Sequence, residues 1–228
     1  MNTLRVMTVV FNISLKQSEL RKFRGAIIKA AGAENTLFHN HVGVGYNYKY
    51  PLIQYRIIGG KAAVVCLNEG IEQAHSLFAS GFIGGELFIG DENKGVTMIE
   101  SIRQNEFSLC VLETPVKYHI SRWLPLNQQN YTLWKSLENE EERISKLNSI
   151  LVGNIISLAK GVGWQIDSKI ECSIDINSII TRPIIYKEQR LISFSLDFTT
   201  NLFLPNGLGI GKGVSSNLGV ILHIRHND

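Results

Sequence analysis

Two adjacent glycines, Gly59 and Gly60, separate the apolar runs IQYRII and KAAVVCL, and this break constrains the fold more than any other feature of the chain. A Gly-Gly pair between two such runs predicts a tight hairpin of antiparallel strands. An apolar run at residues 4–13 predicts an earlier strand, and GELFIG at 85–90 predicts a later one. In the segments between these strands and the hairpin, apolar residues recur at the spacing of a helix. The first half therefore predicts the order β-α-β-β-α-β of a ferredoxin-like domain.

The two helices of this half have recognisable ends. The first is predicted to begin after Ser14 as its N-cap and to end at Gly32, and the second to cover GIEQAHSLFAS at 70–80. These elements fill residues 1–92, a reasonable length for one small domain.

The second half, residues 93–228, predicts a similar order with one element replaced. Strands are predicted on both sides of a long helix at about 130–159, which is interrupted near Glu138–Glu142. A glycine-rich loop at 206–219 then stands where a second helix would be expected, before a last strand, VILHIR. The fold class is α+β: two tandem ferredoxin-like, RRM-like halves with antiparallel sheets, the second half degenerate.

Composition excludes several classes of protein. With 44% hydrophobic and 19% charged residues, the chain is an ordinary folded protein, and its net charge of +3 permits an anionic partner without requiring one. Three widely spaced cysteines argue against a disulfide framework and against a cysteine zinc site, and they fit a reducing compartment. No apolar stretch approaches eighteen residues, so we expect a cytoplasmic protein without membrane contact.

The glycine-rich loop, NGLGIGKGVSSNLG, matches neither of the common nucleotide-binding motifs. Its glycine spacing does not fit the dinucleotide fingerprint, and Gly213 stands where a Walker A loop requires Ser or Thr after Lys212. Two interpretations remain open: a cradle of backbone N–H groups for phosphates, or a flexible hairpin loop. The candidates for phosphate contact in this loop are Gly207, Gly209, Gly211, Lys212, Gly213, Ser215 and Ser216.

Two histidines one residue apart, His39 and His41, are the strongest candidates for chemistry. In an extended segment both rings would lie on one face, where they could exchange protons with a single phosphate near neutral pH. A zinc half-site and purely structural histidines are the alternatives, and zinc would require at least a third ligand. The alternating Tyr46, Tyr48 and Tyr50 could donate or stack on bases, but they also fit a half-buried strand, and we expect at least one of them in the core.

Several motifs together resemble one known family. They are LFHNH (37–41), YPLIQYR (50–56), WLPLNQQNYTLW (123–134), ILVGNIISLAKGVGW (150–164) and the glycine-rich loop. The chain resembles the RAMP superfamily of CRISPR-associated proteins over essentially its whole length. More specifically, it is similar to the CRISPR repeat-RNA endoribonucleases of the branch with a paired-histidine motif.

The resemblance implies a function and assigns roles to residues. It implies metal-independent cleavage of precursor CRISPR RNA within the repeat by the RNA's own 2′-hydroxyl, leaving a 2′,3′-cyclic phosphate, with His39 and His41 as catalytic residues. No cofactor and no metal are implied, and the partner is CRISPR repeat RNA. Effector-complex subunits and a homodimer remain open. Besides the loop residues above, the RNA-binding candidates are Tyr46, Tyr48, Lys49, Tyr50, Arg56 and Lys61.

Two other functions stay open at this point. One is a non-catalytic RAMP subunit that binds CRISPR RNA in an effector complex, and the other is a zinc-dependent hydrolase that uses the same histidines. Cleavage in the presence of a chelator would separate them from the endoribonuclease.

Overall fold

The computed structural model describes residues 2–32, 35–39, 41–42, 45–46 and 50–224, and for 39, 41, 42, 45 and 46 it describes the backbone alone. The chain divides into two compact units. The N-terminal unit comprises Thr3–Ser108 together with Ser215–Asn217, and the C-terminal unit comprises Leu109–Val214, the chain from Leu218 and, at the start of the chain, Asn2. This division falls later than the predicted boundary at 92/93, because a strand assigned to the second half belongs to the first.

The N-terminal unit has the predicted ferredoxin-like topology. Its main sheet has the order β4-β5-β1-β8, with two small two-stranded sheets, β2-β3 and β6-β7, beside it. The strands are β1 (Asn2–Ser14), β2 (His41–Val42), β3 (Gly45–Tyr46), β4 (Ile53–Ile58), β5 (Lys61–Leu67), β6 (Glu86–Ile89), β7 (Glu92–Val96) and β8 (Ile99–Leu109). The helices are α1 (Leu20–Ala31), α2 (Thr36–His39) and α3 (Glu69–Leu77).

The glycine hairpin is confirmed, but the predicted fourth strand is not. Ile58 pairs with Lys61 across a turn in which Gly59 and Gly60 have φ of 58° and 76°, values that suit glycine. The segment GELFIG instead pairs with β7, the strand directly after it, across the short Gly90–Asp91 connection. The fourth strand of the main sheet is β8.

The first helix begins later than predicted. Strand β1 continues through Ser14, and α1 starts at Leu20 after a short 3₁₀ turn, so Ser14 is not its N-cap. The Lys16 backbone N–H donates to the Glu19 carboxylate at 2.8 Å where the turn begins. The predicted end is confirmed: Gly32 follows the helix with φ of 80°.

One hydrophobic core joins the sheet of the N-terminal unit to its helices. Phe11 of β1 lies at its centre and makes edge-on ring contacts with Phe23, Phe78 and Phe82 at centroid distances of 5.8–6.1 Å. Edge-on aromatic pairs of this kind each contribute about 0.5–1.5 kcal/mol beyond the area they bury. The core fixes α1 and α3 against one face of the sheet.

The C-terminal unit repeats this topology without the second helix, as predicted. Its sheet has the order β10-β11-β9-β12, and the chain at 203–219 forms a loop where the other unit has α3. The strands are β9 (Val111–Trp123), β10 (Cys172–Tyr186), β11 (Gln189–Leu202) and β12 (Val220–His223). The helices are α4 (Gln128–Ser136) and α5 (Glu140–Gly161), so the predicted interruption of the long helix is confirmed. None of the helices described here is both long and apolar enough to cross a membrane.

Candidate active site

Strand β4 at the edge of the N-terminal sheet contacts both the residue before His39 and the tip of the glycine-rich loop. Its four residues Ile53 to Arg56 are buried on both faces, which an edge strand with one solvent-facing side would not show. Because side chains alternate along a strand, Tyr55 enters the hydrophobic core, while Gln54 and Arg56 lie on the opposite face.

The face with Gln54 and Arg56 holds a buried polar network. The Arg56 guanidinium donates to the Gln54 side-chain oxygen and to the Tyr55 carbonyl, the latter at 3.2 Å. The Gln54 amide donates to the Tyr50 hydroxyl at 2.8 Å and to the Pro51 carbonyl at 3.1 Å. Burial lowers the pKa of Arg56 to about 10, which leaves it charged at neutral pH. The network fixes the backbone where the tyrosine-rich segment enters β4.

Burial corrects the predicted RNA contacts of Tyr50 and Arg56. Their exposed fractions are 8% and 2%, so neither ring nor guanidinium is available to stack on a base or to reach a phosphate. The expectation that at least one of the three tyrosines packs in the core is confirmed by Tyr50. Tyr48 and Lys49 lie outside the described residues, as does the side chain of Tyr46.

The backbone of the histidine segment differs from the predicted extended run. His39 is the last residue of α2, and His41 is the first residue of β2, where it pairs with Tyr46 of β3. The two histidines therefore do not share one strand, and the same-face argument from strand alternation does not apply to them. Their side chains lie outside the described part of the structure.

Tyr55 connects the histidine segment with the tip of the glycine-rich loop. Its hydroxyl donates to the Phe38 carbonyl at 3.4 Å, and its backbone forms a parallel bridge with Ser216. Asn217 next to the bridge donates to the Gln17 side chain at 3.3 Å. The loop tip Ser215–Asn217 thus belongs to the N-terminal unit, in contact with the strand that also contacts the histidine segment.

The rest of the glycine-rich loop is packed against the C-terminal unit rather than flexible. Leu208, Ile210, Val214 and Leu218 are buried, and the loop bonds β12 through Gly207 N–H to the Ile221 carbonyl at 2.8 Å. A Cβ on Gly211 would lie 2.6–2.7 Å from Asn154 Oδ1 and Trp123 Nε1, two atoms that bond each other at 2.8 Å. Glycine is required there by close packing, whatever its role towards RNA.

The candidate contacts in this loop differ in exposure. Gly209 is buried, Gly207, Gly211, Gly213, Ser215 and Ser216 are half-buried, and Lys212 is exposed. The Lys212 ammonium lies 5.7 Å from the Tyr186 ring centroid. Lys212 is accordingly the side chain of this loop best placed for a phosphate.

Both halves of the chain match models of a single family. The model of the Cas6b N-terminal domain matches residues 2–106, and that of the Cas6b C-terminal domain matches residues 110–224. The chain belongs to the Cas6b family.

Two solved structures agree with this assignment, and one curated relative is uncharacterised. A crystal structure of Cas6b is 27% identical, with a TM-score of 0.85, and covers 97% of this chain and 100% of the other. A second, titled CRISPR RNA processing endoribonuclease Cas6b, is 25% identical with a TM-score of 0.73 and the same coverage. An uncharacterised protein of Methanocaldococcus jannaschii is 31% identical over 137 residues, 59% of this chain and 89% of that protein.

In this Cas6b chain two sequence-based hypotheses remain to be compared with the structure: RNA contact by Lys61 and a metal site. Lys61, at the start of β5, forms an ion pair with Glu100 of β8, so its charge is partly neutralised. Within the described residues no three His, Cys, Asp or Glu side chains gather as a metal site would require. The histidine side chains themselves are outside that description.

Sequence reasoning missed Gln54 and Tyr55. Both lie in the motif YPLIQYR, which the sequence analysis used only as evidence for the family resemblance. The usable signal was Gln54 and Arg56 alternating with apolar residues in a strand otherwise apolar, since polar residues at buried positions need defined partners.

Proposed function

We propose that the protein cleaves precursor CRISPR RNA within the repeat, without a metal ion, and leaves a 2′,3′-cyclic phosphate and a 5′-hydroxyl. The matches of both Cas6b domain models over nearly the whole chain carry the coarse activity, endoribonuclease action on CRISPR RNA. The mechanism rests on the residue chemistry of the histidine segment.

The cleavage step needs one base and one acid. The 2′-oxygen forms a bond to the adjacent phosphorus as its proton passes to one histidine, and the bond to the 5′-oxygen breaks as the other histidine protonates that oxygen. Among protein side chains imidazole suits both transfers near neutral pH. His39 and His41 are the proposed pair, and either can take either role.

RNA contacts are proposed for an exposed cation of the C-terminal unit and, separately, for the residues that follow the histidines in the sequence. Lys212 is exposed on the glycine-rich loop, and Tyr46, Tyr48 and Lys49 follow the histidines in sequence. Lysine would stabilise the charge of the phosphate, and tyrosine would stack on single-stranded bases.

The test uses end-labelled repeat RNA from the source organism's own CRISPR array with the whole protein in excess EDTA. We expect a single cut in the repeat and a product with a cyclic phosphate. His39→Ala and His41→Ala should each lower the cleavage rate by at least about 10²-fold while RNA affinity is retained. His75→Ala is the matched control, because His75 is exposed on α3 and should cleave as the wild type does.

Other outcomes identify the other functions. Tight binding by the wild type without any cut would identify a non-catalytic RNA-binding subunit. Cleavage that EDTA abolishes and added zinc restores would identify a metal-dependent hydrolase.

A further inference from the structure

We propose that Tyr55 is a positioning residue for RNA cleavage: its hydroxyl fixes the peptide bond that carries His39. This inference rests on the proposed function, because it gives Tyr55 a role only through the histidine. The Tyr55 side chain is 0% exposed, so we assign it no direct contact with the RNA.

The connection to His39 runs through one hydrogen bond. The Tyr55 hydroxyl donates to the Phe38 carbonyl at 3.4 Å, and the phenyl ring of Phe38 is buried in the same hydrophobic cluster as Tyr55. That carbonyl belongs to the peptide unit whose nitrogen is the backbone nitrogen of His39. A shift of this carbonyl therefore moves the histidine backbone, and misplacement of a reacting group by about 1 Å can reduce a rate by about 10²-fold.

Arg24 lies beside Tyr55 without competing for its hydroxyl proton. The Arg24 guanidinium carbon on α1 lies 5.8 Å from the Tyr55 ring centroid. Because a guanidinium has donors and no acceptor, it leaves the hydroxyl proton for the Phe38 carbonyl. Burial raises the pKa of Tyr55 above its usual range despite the opposing charge of Arg24, so the proton is retained at neutral pH.

Three further contacts hold Tyr55 itself. Its backbone pairs with Val64 of β5 on one side and with Ser216 of the glycine-rich loop on the other. Its ring meets Phe23 edge-on at a centroid distance of 6.2 Å. A hydroxyl held in this way gives the Phe38 carbonyl a fixed partner, as a residue that orients a reacting group must.

The experiment compares Tyr55→Phe with Tyr118→Phe. Tyr118 is a matched control in the C-terminal unit: it is buried, its hydroxyl donates to the Leu202 carbonyl at 3.3 Å, and it accepts from the Leu204 N–H at 2.9 Å. Each variant loses one buried hydroxyl and keeps its ring. Single-turnover cleavage of labelled repeat RNA by excess protein gives a rate constant and an amplitude, and RNA affinity and thermal unfolding are measured beside it.

We expect the rate constant of Tyr55→Phe to fall about tenfold, with unchanged amplitude and RNA affinity. Its pH–rate profile should keep the wild-type inflection points, because the hydroxyl exchanges no proton. Tyr118→Phe should keep the wild-type rate constant although it loses thermal stability, since unfolding reduces the amplitude rather than the rate of the folded fraction.

Several results would overturn this role. They are a wild-type rate constant for Tyr55→Phe, an equal loss in both variants, or a shifted pH–rate profile. The histidine variants keep the two proposals apart. If His39→Ala and His41→Ala still cleave, the proposed catalytic pair is wrong. If they fail to cleave while Tyr55→Phe cleaves at the wild-type rate, only the positioning role is wrong.

Discussion

Arg56 is a charged residue that forms hydrogen bonds inside the protein instead of lying on its surface. Its guanidinium donates to neutral oxygens, those of Gln54 and of the Tyr55 backbone, in a position 2% exposed. Buried cations are costly unless their donors are satisfied, and the partners left behind after removal of a donor are costly as well. Arg56 is thus expected to matter for stability rather than for RNA affinity.

We predict that Arg56→Met lowers the free energy of unfolding by about 2 kcal/mol, because the Gln54 side-chain oxygen and the Tyr55 carbonyl each lose a buried donor. Urea unfolding measures this loss. The slope of log Kd for RNA against log salt concentration should remain that of the wild type. Lys212→Met is the control: Lys212 is exposed, so stability should be unchanged while the slope falls by about 0.7, the value of one single-strand phosphate contact. A reduced slope in Arg56→Met would show that Arg56 contacts an RNA phosphate after all.

The glycine-rich loop acts as a structural element with its own packing rules. Gly219 has φ of 62°, and a Cβ there would lie 2.0 Å from the Ile210 carbonyl oxygen. Gly207 has a similar φ of 83°, but a Cβ there would meet nothing within 4 Å. The two positions therefore separate backbone strain from steric exclusion within one loop.

We predict that Gly219→Ala destabilises the protein by more than about 3 kcal/mol, because both the backbone conformation and a backbone oxygen oppose the methyl group. Gly207→Ala should cost only about 1–2 kcal/mol, from the backbone conformation alone. Urea unfolding of both variants and of the wild type gives the comparison. Equal losses would show that the loop shifts to admit a side chain at 219, and that the close approach does not constrain it.

Turns and strands were predictable where the local sequence determines them. The neighbour of a strand in the sheet was not, because several strands can pair with it. Gly59-Gly60 predicted its hairpin because both positions need positive φ. The turn at Lys187 and Glu188 also has positive φ, 48° and 66°, but neither residue type favours it, so no local signal marks the turn of the long β10-β11 hairpin. The partner of β6 was misassigned because an alternating pattern shows a buried face and not the strand beside it.

At the scale of the molecule, the order of elements was enough to predict two ferredoxin-like halves, and the family resemblance agrees with the Cas6b domain matches. The candidate site was harder to predict from the sequence than the fold. Residue type suggested RNA contact for Tyr50 and Arg56, whereas burial, which depends on the complete fold, places them inside. Tyr55 connects Phe38 and Ser216 across more than 150 residues of sequence, a proximity that no local pattern contains.

Charge is also a property of the whole molecule, and it limits how RNA can be attracted. The net charge is only +3, and some cations are neutralised by neighbouring carboxylates. Arg5 pairs with Glu72 at 2.7 Å, Lys94 with Glu19 at 2.7 Å, and Lys61 with Glu100. Their fields largely cancel beyond a Debye length of about 8 Å at physiological salt. Attraction of RNA by a diffuse positive field is accordingly weak, and affinity must come from a few local contacts.

We predict that the slope of log Kd against log salt concentration lies between about 2 and 4, because each single-strand phosphate contact contributes about 0.7 and a net charge of only +3 favours a few local contacts. Fluorescence anisotropy with labelled repeat RNA, from about 50 to about 400 mM KCl, measures the slope. The double variant His39→Ala, His41→Ala is used for the titration, because on the proposed mechanism it leaves the RNA uncut. A slope near 10 would require many more phosphate contacts than the local surface around Lys212 provides, and recognition would then follow the RNA backbone over most of the protein.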